Sequence, residues 1–202
     1  MTRIGIAVGL IAVAGCTQSG TGLHVAPVPT YDLDAIPQAI LAEFDKNKNG
    51  SIETNEAQAC PALSGAFAAI DTNRDRRLSA DELRKRVEQY AASRTGSVEV
   101  GCAVRLDDQP LAGATVTFVP EACMGPSLKT AVGTTDADGR CSEYQIDGKR
   151  YRGLAPGLYK IQVTRDGAAI PARFNSQTVL GKEVFHDPHR AEDFVGLKLT
   201  SR

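Results

Sequence analysis

Two twelve-residue runs, 45–56 and 71–82, carry oxygen-bearing side chains at matching positions and constrain this chain more than any other feature. The first reads Asp45-Lys46-Asn47-Lys48-Asn49-Gly50-Ser51-Ile52-Glu53-Thr54-Asn55-Glu56. The second reads Asp71-Thr72-Asn73-Arg74-Asp75-Arg76-Arg77-Leu78-Ser79-Ala80-Asp81-Glu82. Apolar residues recur at helical spacing around both: Ile36, Ala39, Ile40 and Phe44 before the first, Leu63, Phe67 and Ile70 before the second, and Leu83, Val87 and Tyr90 after it. Residues 31–93 therefore read as helix, loop, short helices, loop, helix. A lone helix of this length is marginal in water, so each stripe needs a facing partner.

Both runs resemble EF-hand calcium loops. Calcium is a hard cation that takes about six to eight oxygens at roughly 2.3–2.6 Å. In the first run the resemblance assigns side-chain oxygens to Asp45, Asn47 and Asn49, a backbone carbonyl to Ser51, a water-mediated contact to Glu53 and both carboxylate oxygens to Glu56. Gly50 takes the sharp turn and Ile52 points inward to tie the loop to its neighbour. In the second run the corresponding ligands are Asp71, Asn73, Asp75, Arg77 through its carbonyl, Ser79 and Glu82. Arg76 stands where the pattern wants glycine, which predicts a strained left-handed backbone and, with Arg74 and Arg77, a weaker site. The runs begin 26 residues apart. Cys60-Pro61 interrupts the intervening helix, with Pro61 suited to a first helical position.

The amino terminus has a different character. Arg3 precedes an apolar run, 4–15, too short to span a bilayer and proportioned like a secretory leader. It ends Val13-Ala14-Gly15-Cys16, which resembles the lipobox of bacterial lipoproteins; this implies removal of 1–15, lipid on Cys16 and durable anchoring by two or more chains. Residues 16–30, rich in Gly, Ser, Thr and Pro, read as a flexible tether. Export would carry Cys60, Cys102, Cys123 and Cys141 into a disulfide-permissive compartment.

From residue 96 the apolar period changes to two: Val98, Val100, Cys102, Val104 and Leu106, then Ala114, Val116 and Phe118, and later Leu158, Ile161 and Val163. Short strands with Gly- and Pro-rich connections argue for a β-sandwich. Three phrases in order, Pro110-Leu111-Ala112-Gly113-Ala114-Thr115-Val116-Thr117-Phe118, Thr135-Asp136-Ala137-Asp138-Gly139-Arg140 and Gly153-Leu154-Ala155-Pro156-Gly157-Leu158-Tyr159, resemble the carboxypeptidase regulatory-like, or transthyretin-like, domain. A tail including Ile170-Pro171-Ala172-Arg173-Phe174-Asn175 and a last strand around residues 194–199 is similar to that of planctomycete secreted copies. The expected fold is thus a small α-helical EF-hand pair over 31–93 followed, over 96–202, by an all-β transthyretin-like (prealbumin-like, Ig-like) sandwich with a carboxy-terminal extension. The resemblance also places Cys141 at the start of a core strand, inside the same sandwich as Cys102. A Cys102–Cys141 bond requires neighbouring strands or a local pinch of the sandwich, because facing sheets stand about 10 Å apart. Cys123, in a Gly-Pro loop, competes for either partner, and Cys60 belongs to the helical part.

The 23 Lys and Arg interspersed with 24 Asp and Glu, net charge −1, lack the single-sign field that favours nucleic acid. Ring-cleaving dioxygenases of transthyretin-like architecture need two His and two Tyr around iron, whereas His186, His189, Tyr144, Tyr151 and Tyr159 follow no such signature. Hydroxyisourate hydrolases need a Tyr-rich ending that this chain does not have. No small-molecule substrate is expected. The sequence points to a non-catalytic, calcium-binding lipoprotein of the cell envelope, acting as a structural or binding module; the alternatives are a calcium-dependent sensor or assembly accessory with an envelope protein partner, and an enzyme.

Overall fold

A computed structural model describes residues 22–186 and 194–202. The leader 1–15, Cys16, the start of the tether and His189 lie outside the described residues.

Helix α1 (Ala35–Phe44) starts where the Asp32 carboxylate accepts hydrogen bonds from the Asp34 and Ala35 amides, at 3.1 and 2.8 Å. It buries Ile36, Ile40 and Phe44 along one face. Strand β1 (Ser51–Glu53) and the single turn α2 (Thr54–Ala57) follow. Helix α3 (Pro61–Ile70) has proline in its first turn, where an amide would lack a helical partner anyway. Strand β2 (Arg77–Ser79) leads into α4 (Ala80–Ala92), which opens with a capping box: Glu82 N donates to Ser79 Oγ while the Glu82 carboxylate accepts from Ser79 N. β1 and β2 form a small antiparallel sheet with Ile52 opposite Leu78, both fully buried.

The later chain supplies β3 (Gly101–Leu106), β4 (Gln109–Pro110), β5 (Thr115–Pro120), β6 (Ala131–Thr134), β7 (Arg140–Cys141), β8 (Glu143–Ile146), β9 (Lys149–Arg152), β10 (Gly157–Thr164), β11 (Leu180–Val184) and β12 (Phe194–Leu199). One sheet runs β11-β10-β5-β6-β8-β9; a second runs β12-β3-β4, with β7 also on β3. β12 is parallel to β3, and the remaining pairs are antiparallel. Apolar residues alternate as the two-residue period requires, Val116 and Phe118 on β5 and Tyr159, Ile161 and Val163 on β10 being buried. Phe118 meets Tyr144 and Tyr159 edge-on, with ring centroids 5.4 and 6.3 Å away. The run expected as one strand from Val98 is broken: Val98 bridges Leu154 and β3 begins only at Gly101. Gly153 allows that bridge, since a Cβ on it would lie 2.0 Å from the Val98 carbonyl oxygen.

The expected fold class is corrected. Strand outweighs helix in the described residues, and the helices do not form a body of their own ahead of an all-β unit. α3 lies on β11 and β10, α1 packs on the short 3-10 turn Ala122–Met124, and α4 reaches β11 through Arg86 and Tyr90. A single apolar core runs from Tyr31 to Leu199, so the architecture is mixed α+β. The physical reason is burial. Helices of ten to thirteen residues carry more apolar face than their mutual contacts cover, and the sheet supplies the missing partner. The described part of the tether also has a partner, His24 N donating to Arg150 O at 2.8 Å, and just beyond it Tyr31 Oη donates to Pro156 O at 2.6 Å.

Gly181 on β11 sets the closeness of helix to sheet, because a Cβ there would lie 2.7 Å from the Ala62 amide nitrogen on α3. Gly181→Val is expected to destabilise the protein by about 1–3 kcal/mol through overpacking. Urea unfolding followed by helical circular dichroism and by tyrosine fluorescence should give one shared, shifted transition. Two separate transitions, with the helical one unmoved, would show that the helices fold without the sheet.

Candidate metal centre

Each run leaves a helix at an aspartate and sets its closing glutamate as the third residue of the next, Glu56 in α2 and Glu82 in α4, and the two loops share one hydrogen-bonding plan. In the first, Asp45 Oδ1 and Oδ2 accept from the Asn49 and Gly50 amides at 3.2 and 2.9 Å. In the second, Asp71 Oδ1 and Oδ2 accept from the Asp75 and Arg76 amides at 3.2 and 3.0 Å. Asn47 Oδ1 accepts from Asn49 N at 3.0 Å, and Asn73 Oδ1 from Asp75 N at 2.9 Å. Asn49 Oδ1 accepts from Ser51 N at 3.0 Å, and Asp75 Oδ1 from Arg77 N at 2.9 Å.

The closing glutamates complete the match. Glu56 Oε1 accepts from Lys46 N and Asn47 N at 2.9 and 3.2 Å, and its Oε2 from Glu53 N at 3.0 Å. Glu82 Oε1 accepts from Thr72 N and Asn73 N at 2.9 and 3.4 Å, and its Oε2 from Ser79 N at 3.0 Å. Each carboxylate is thereby folded back across the mouth of its loop and buried, at 8% and 4% exposure. The structure thus gathers Asp45, Asn47, Asn49, Glu53 and Glu56 in one loop and Asp71, Asn73, Asp75, Ser79 and Glu82 in the other. Ser51 and Arg77 take part through their amides, and their carbonyls belong to the paired strands β1 and β2.

The loops differ in charge and strain. Asn47 and Asn49 turn their amide nitrogens to Glu53, at 3.0 and 2.5 Å. Gly50 takes φ +83° freely, while Arg76 occupies the same turn at φ +66°, the left-handed region expected for it. Arg77 reaches back toward Glu53 of the first loop, at 3.9 Å with its side chain more than half exposed, a contact of little energetic weight. Burial alone would raise the Glu82 carboxyl. The hydrogen bonds from Ser79, Asn73 and Thr72 together outweigh it and hold the group below its ordinary range. Among the described residues no three or more His, Cys, Asp and Glu side chains gather as a metal-binding group.

The other singled-out residues are dispersed. The Tyr144 and Tyr159 hydroxyls donate to the Val100 and Ala155 carbonyls, and Tyr151 stacks obliquely on His24. His186 lines a cavity of about 780 Å³ with Arg152, Glu99 and Phe194. The four described cysteines are buried thiols. Cys60 donates to Glu121 Oε1 at 3.3 Å, and burial followed by the Glu121 charge pushes its thiol up. Cys123 lies in the turn just beyond Glu121; burial, with Glu43 and Glu121, raises its thiol to about 12. Cys123 thus sits near Cys60, in the turn on which α1 packs.

The sequence did not point to Glu183. Arg86 Nε and Nη2 donate to its two oxygens at 2.6 and 2.7 Å, and Tyr90 Oη donates at 2.5 Å. Arg86 follows Glu82 by one helical turn, so the second loop is linked to β11 by a single rigid element. A charged residue beside the apolar stripe of α4 was the available signal, but nothing local names a partner 97 residues away.

No known protein-family pattern matches the chain, and no curated protein matches it either.

Arg76→Gly should relieve about 1 kcal/mol of left-handed strain and remove a positive charge, raising the melting temperature and any calcium affinity of the second loop; an unchanged protein by both measures contradicts that account. Because the folded Glu82 carboxyl is lowered, its contribution to stability is full above the unfolded glutamate value near 4.5 and is lost as pH falls through the folded one. Glu82→Gln should accordingly flatten the acid limb of the stability curve, read from urea midpoints across pH 3 to 6.

Proposed function

We propose that this chain is a non-catalytic calcium-binding protein of the bacterial cell envelope, anchored by lipid on Cys16, in which calcium stabilises the fold and the sheets serve as a structural or binding module. The observation that carries the reading is the congruence of the two loops. Four equivalent pairs of side chains, Asp45 and Asp71, Asn47 and Asn73, Asn49 and Asp75, and Glu56 and Glu82, accept matching backbone hydrogen bonds along one shared course, and the loops are tied together at Ile52 and Leu78. The donor set suits a hard cation: carboxylate, amide and carbonyl oxygens, with no thiol or imidazole.

In this reading Asp45, Asn47, Asn49, the Ser51 carbonyl and Glu56 hold the first ion directly, with Glu53 acting through water. Asp71, Asn73, Asp75, the Arg77 carbonyl and Glu82 hold the second, with Ser79 in the outer position. Envelope calcium modules work at about 10⁻⁴ to 10⁻³ M, so the ion is a resident structural part rather than a transient signal. The first loop is the stronger, having glycine at its turn and no arginine among its residues. The non-catalytic reading is supported by Tyr144 and Tyr159, whose hydroxyls are spent on core carbonyls.

Calorimetric titration of the full chain with calcium chloride should give binding in the submillimolar range and a calcium-dependent rise in melting temperature. Glu56→Gln should lower the affinity by on the order of tenfold or more, about 1.4 kcal/mol, and by more than Glu82→Gln does. No calcium heat and no thermal shift in the wild-type protein reject the metal assignment. For the anchor, Cys16→Ala should abolish incorporation of radiolabelled palmitate and release the protein from membranes; a variant that still takes up label overturns it.

A further inference from the structure

Cys102 on β3 and Cys141 on β7 stand directly opposite each other across an antiparallel pair. Further along the same ladder Val104 N donates to Gly139 O at 2.8 Å, which makes 104 and 139 a hydrogen-bonded pair and, by alternation, 102 and 141 another. The Cα atoms of such pairs lie about 5.5 Å apart, inside the roughly 4.4–6.8 Å that a disulfide spans. Directly opposed side chains leave a ladder on the same face, and here that face is the core: Cys102 is 0% and Cys141 6% exposed. Cys141 Sγ occupies the space over Gly133, where a Cβ would lie only 2.3 Å from it. The Cys102 thiol donates toward Cys141; that contact pushes Cys102 up and holds Cys141 below the ordinary thiol range.

We infer that Cys102 and Cys141 are joined by a disulfide, formed by exchange with an oxidant that itself carries a disulfide. The Cys141 thiolate attacks one sulfur of that oxidant, making a mixed disulfide and releasing one oxidant thiolate. The Cys102 thiolate then attacks Cys141 Sγ, forming the Cys102–Cys141 bond and releasing the second. The two cysteines lose two protons and two electrons, and the electrons reduce the oxidant to its thiols. Cys60 and Cys123 stay reduced, because Cys60 donates to Glu121 and burial together with that carboxylate pushes both thiols up. The bond has a structural consequence. Past Ser142 the chain leaves β3 and joins β6 as β8, so the crosslink pins the place where it passes from one sheet to the other. The inference rests on the envelope reading only for where the oxidant is met.

The full chain is incubated with oxidised glutathione, denatured, alkylated and digested without reductant, and the peptides are identified by mass. The expected result is one linked pair containing Cys102 and Cys141, two hydrogens lighter than its thiol forms, with Cys60 and Cys123 alkylated. The oxidised protein should also melt at a higher temperature than the reduced one, and Cys102→Ser should remove that difference. If Cys102→Ser does not fold, the mapping of the unaltered chain still decides. Alkylated Cys102 and Cys141, glutathione adducts alone, or a link from either to Cys60 or Cys123 overturns the inference. The mapping is independent of calcium, so failure here and failure of the metal assignment are distinguishable.

Discussion

A carboxylate buried on a sheet strand needs a cation, and Glu183 finds it on a helix at the other end of the chain. Its side chain is 6% exposed and that of Arg86 11%, so the pair sits in a low-dielectric setting where each charge depends on the other. Burial on its own would lower the Arg86 guanidinium, and the Glu183 carboxylate more than reverses this. Tyr90 adds a third hydrogen bond, while Phe185 lies 4.3 Å from the Arg86 guanidinium carbon and gives it an aromatic face. Such a triad stabilises little relative to apolar residues of the same size, but removing either Arg86 or Glu183 strands a buried charge at a cost of about 3–5 kcal/mol. Its effect is specificity: it fixes which turn of α4 meets which residue of β11.

With α4 fixed, the rest of the helical segment has one way to lie. α4 begins at the second loop, the second loop is paired to the first through Ile52 and Leu78, and the first returns to α1. α3, between the loops, is then set down on β11, where Gly181 leaves room for its first turn. Loops and sheet share one core, so an ion held by either loop stabilises the whole folded state. At free calcium ten times the dissociation constant that contribution is about 1.4 kcal/mol, a meaningful part of a marginal total of roughly 5–15.

The parts of this molecule that were legible in the sequence are the ones set by local chemistry. Asp136 accepts from the Asp138 and Arg140 amides, Gly139 sits at φ +74°, and the turn written as 135–140 follows from those residues alone. The same holds for the two loops, whose side chains hydrogen-bond to amides two to ten residues away. The alternating runs gave β5 and β10 because period and burial coincide there. What could not be read was contact across the chain. Helical stripes announce that a partner exists and not which one, so nothing local separates a helical pair closing on itself from one whose α3 and α4 rest on β11. Cys60 was assigned away from Cys123 for the same reason, although Glu121 places them on one side of the core. The break after Val98 was hidden because a bridge residue and a strand residue alternate identically.

The loops also bear on whether calcium would act as a part or as a signal. Every oxygen proposed to face the ion through a side chain already accepts a backbone hydrogen bond from its own loop, so the oxygens are held in place by the protein itself. A site organised in this way loses little conformational freedom on binding and gives the flanking helices little reason to move. A sensor that opens a groove needs the opposite: helices free to rotate and a flexible apolar lining to expose. Here α1 and α3 are committed to the turn 122–124 and to β11, and Met124 in that turn is 1% exposed. Rotating either helix would uncover core shared with the sheet, at about 25 cal/mol for each Å² of apolar surface. Two calcium ions bound weakly at these loops would supply only a few kcal/mol between them. Helices held by a core shared with the sheet favour calcium as a fixed brace over calcium as a trigger.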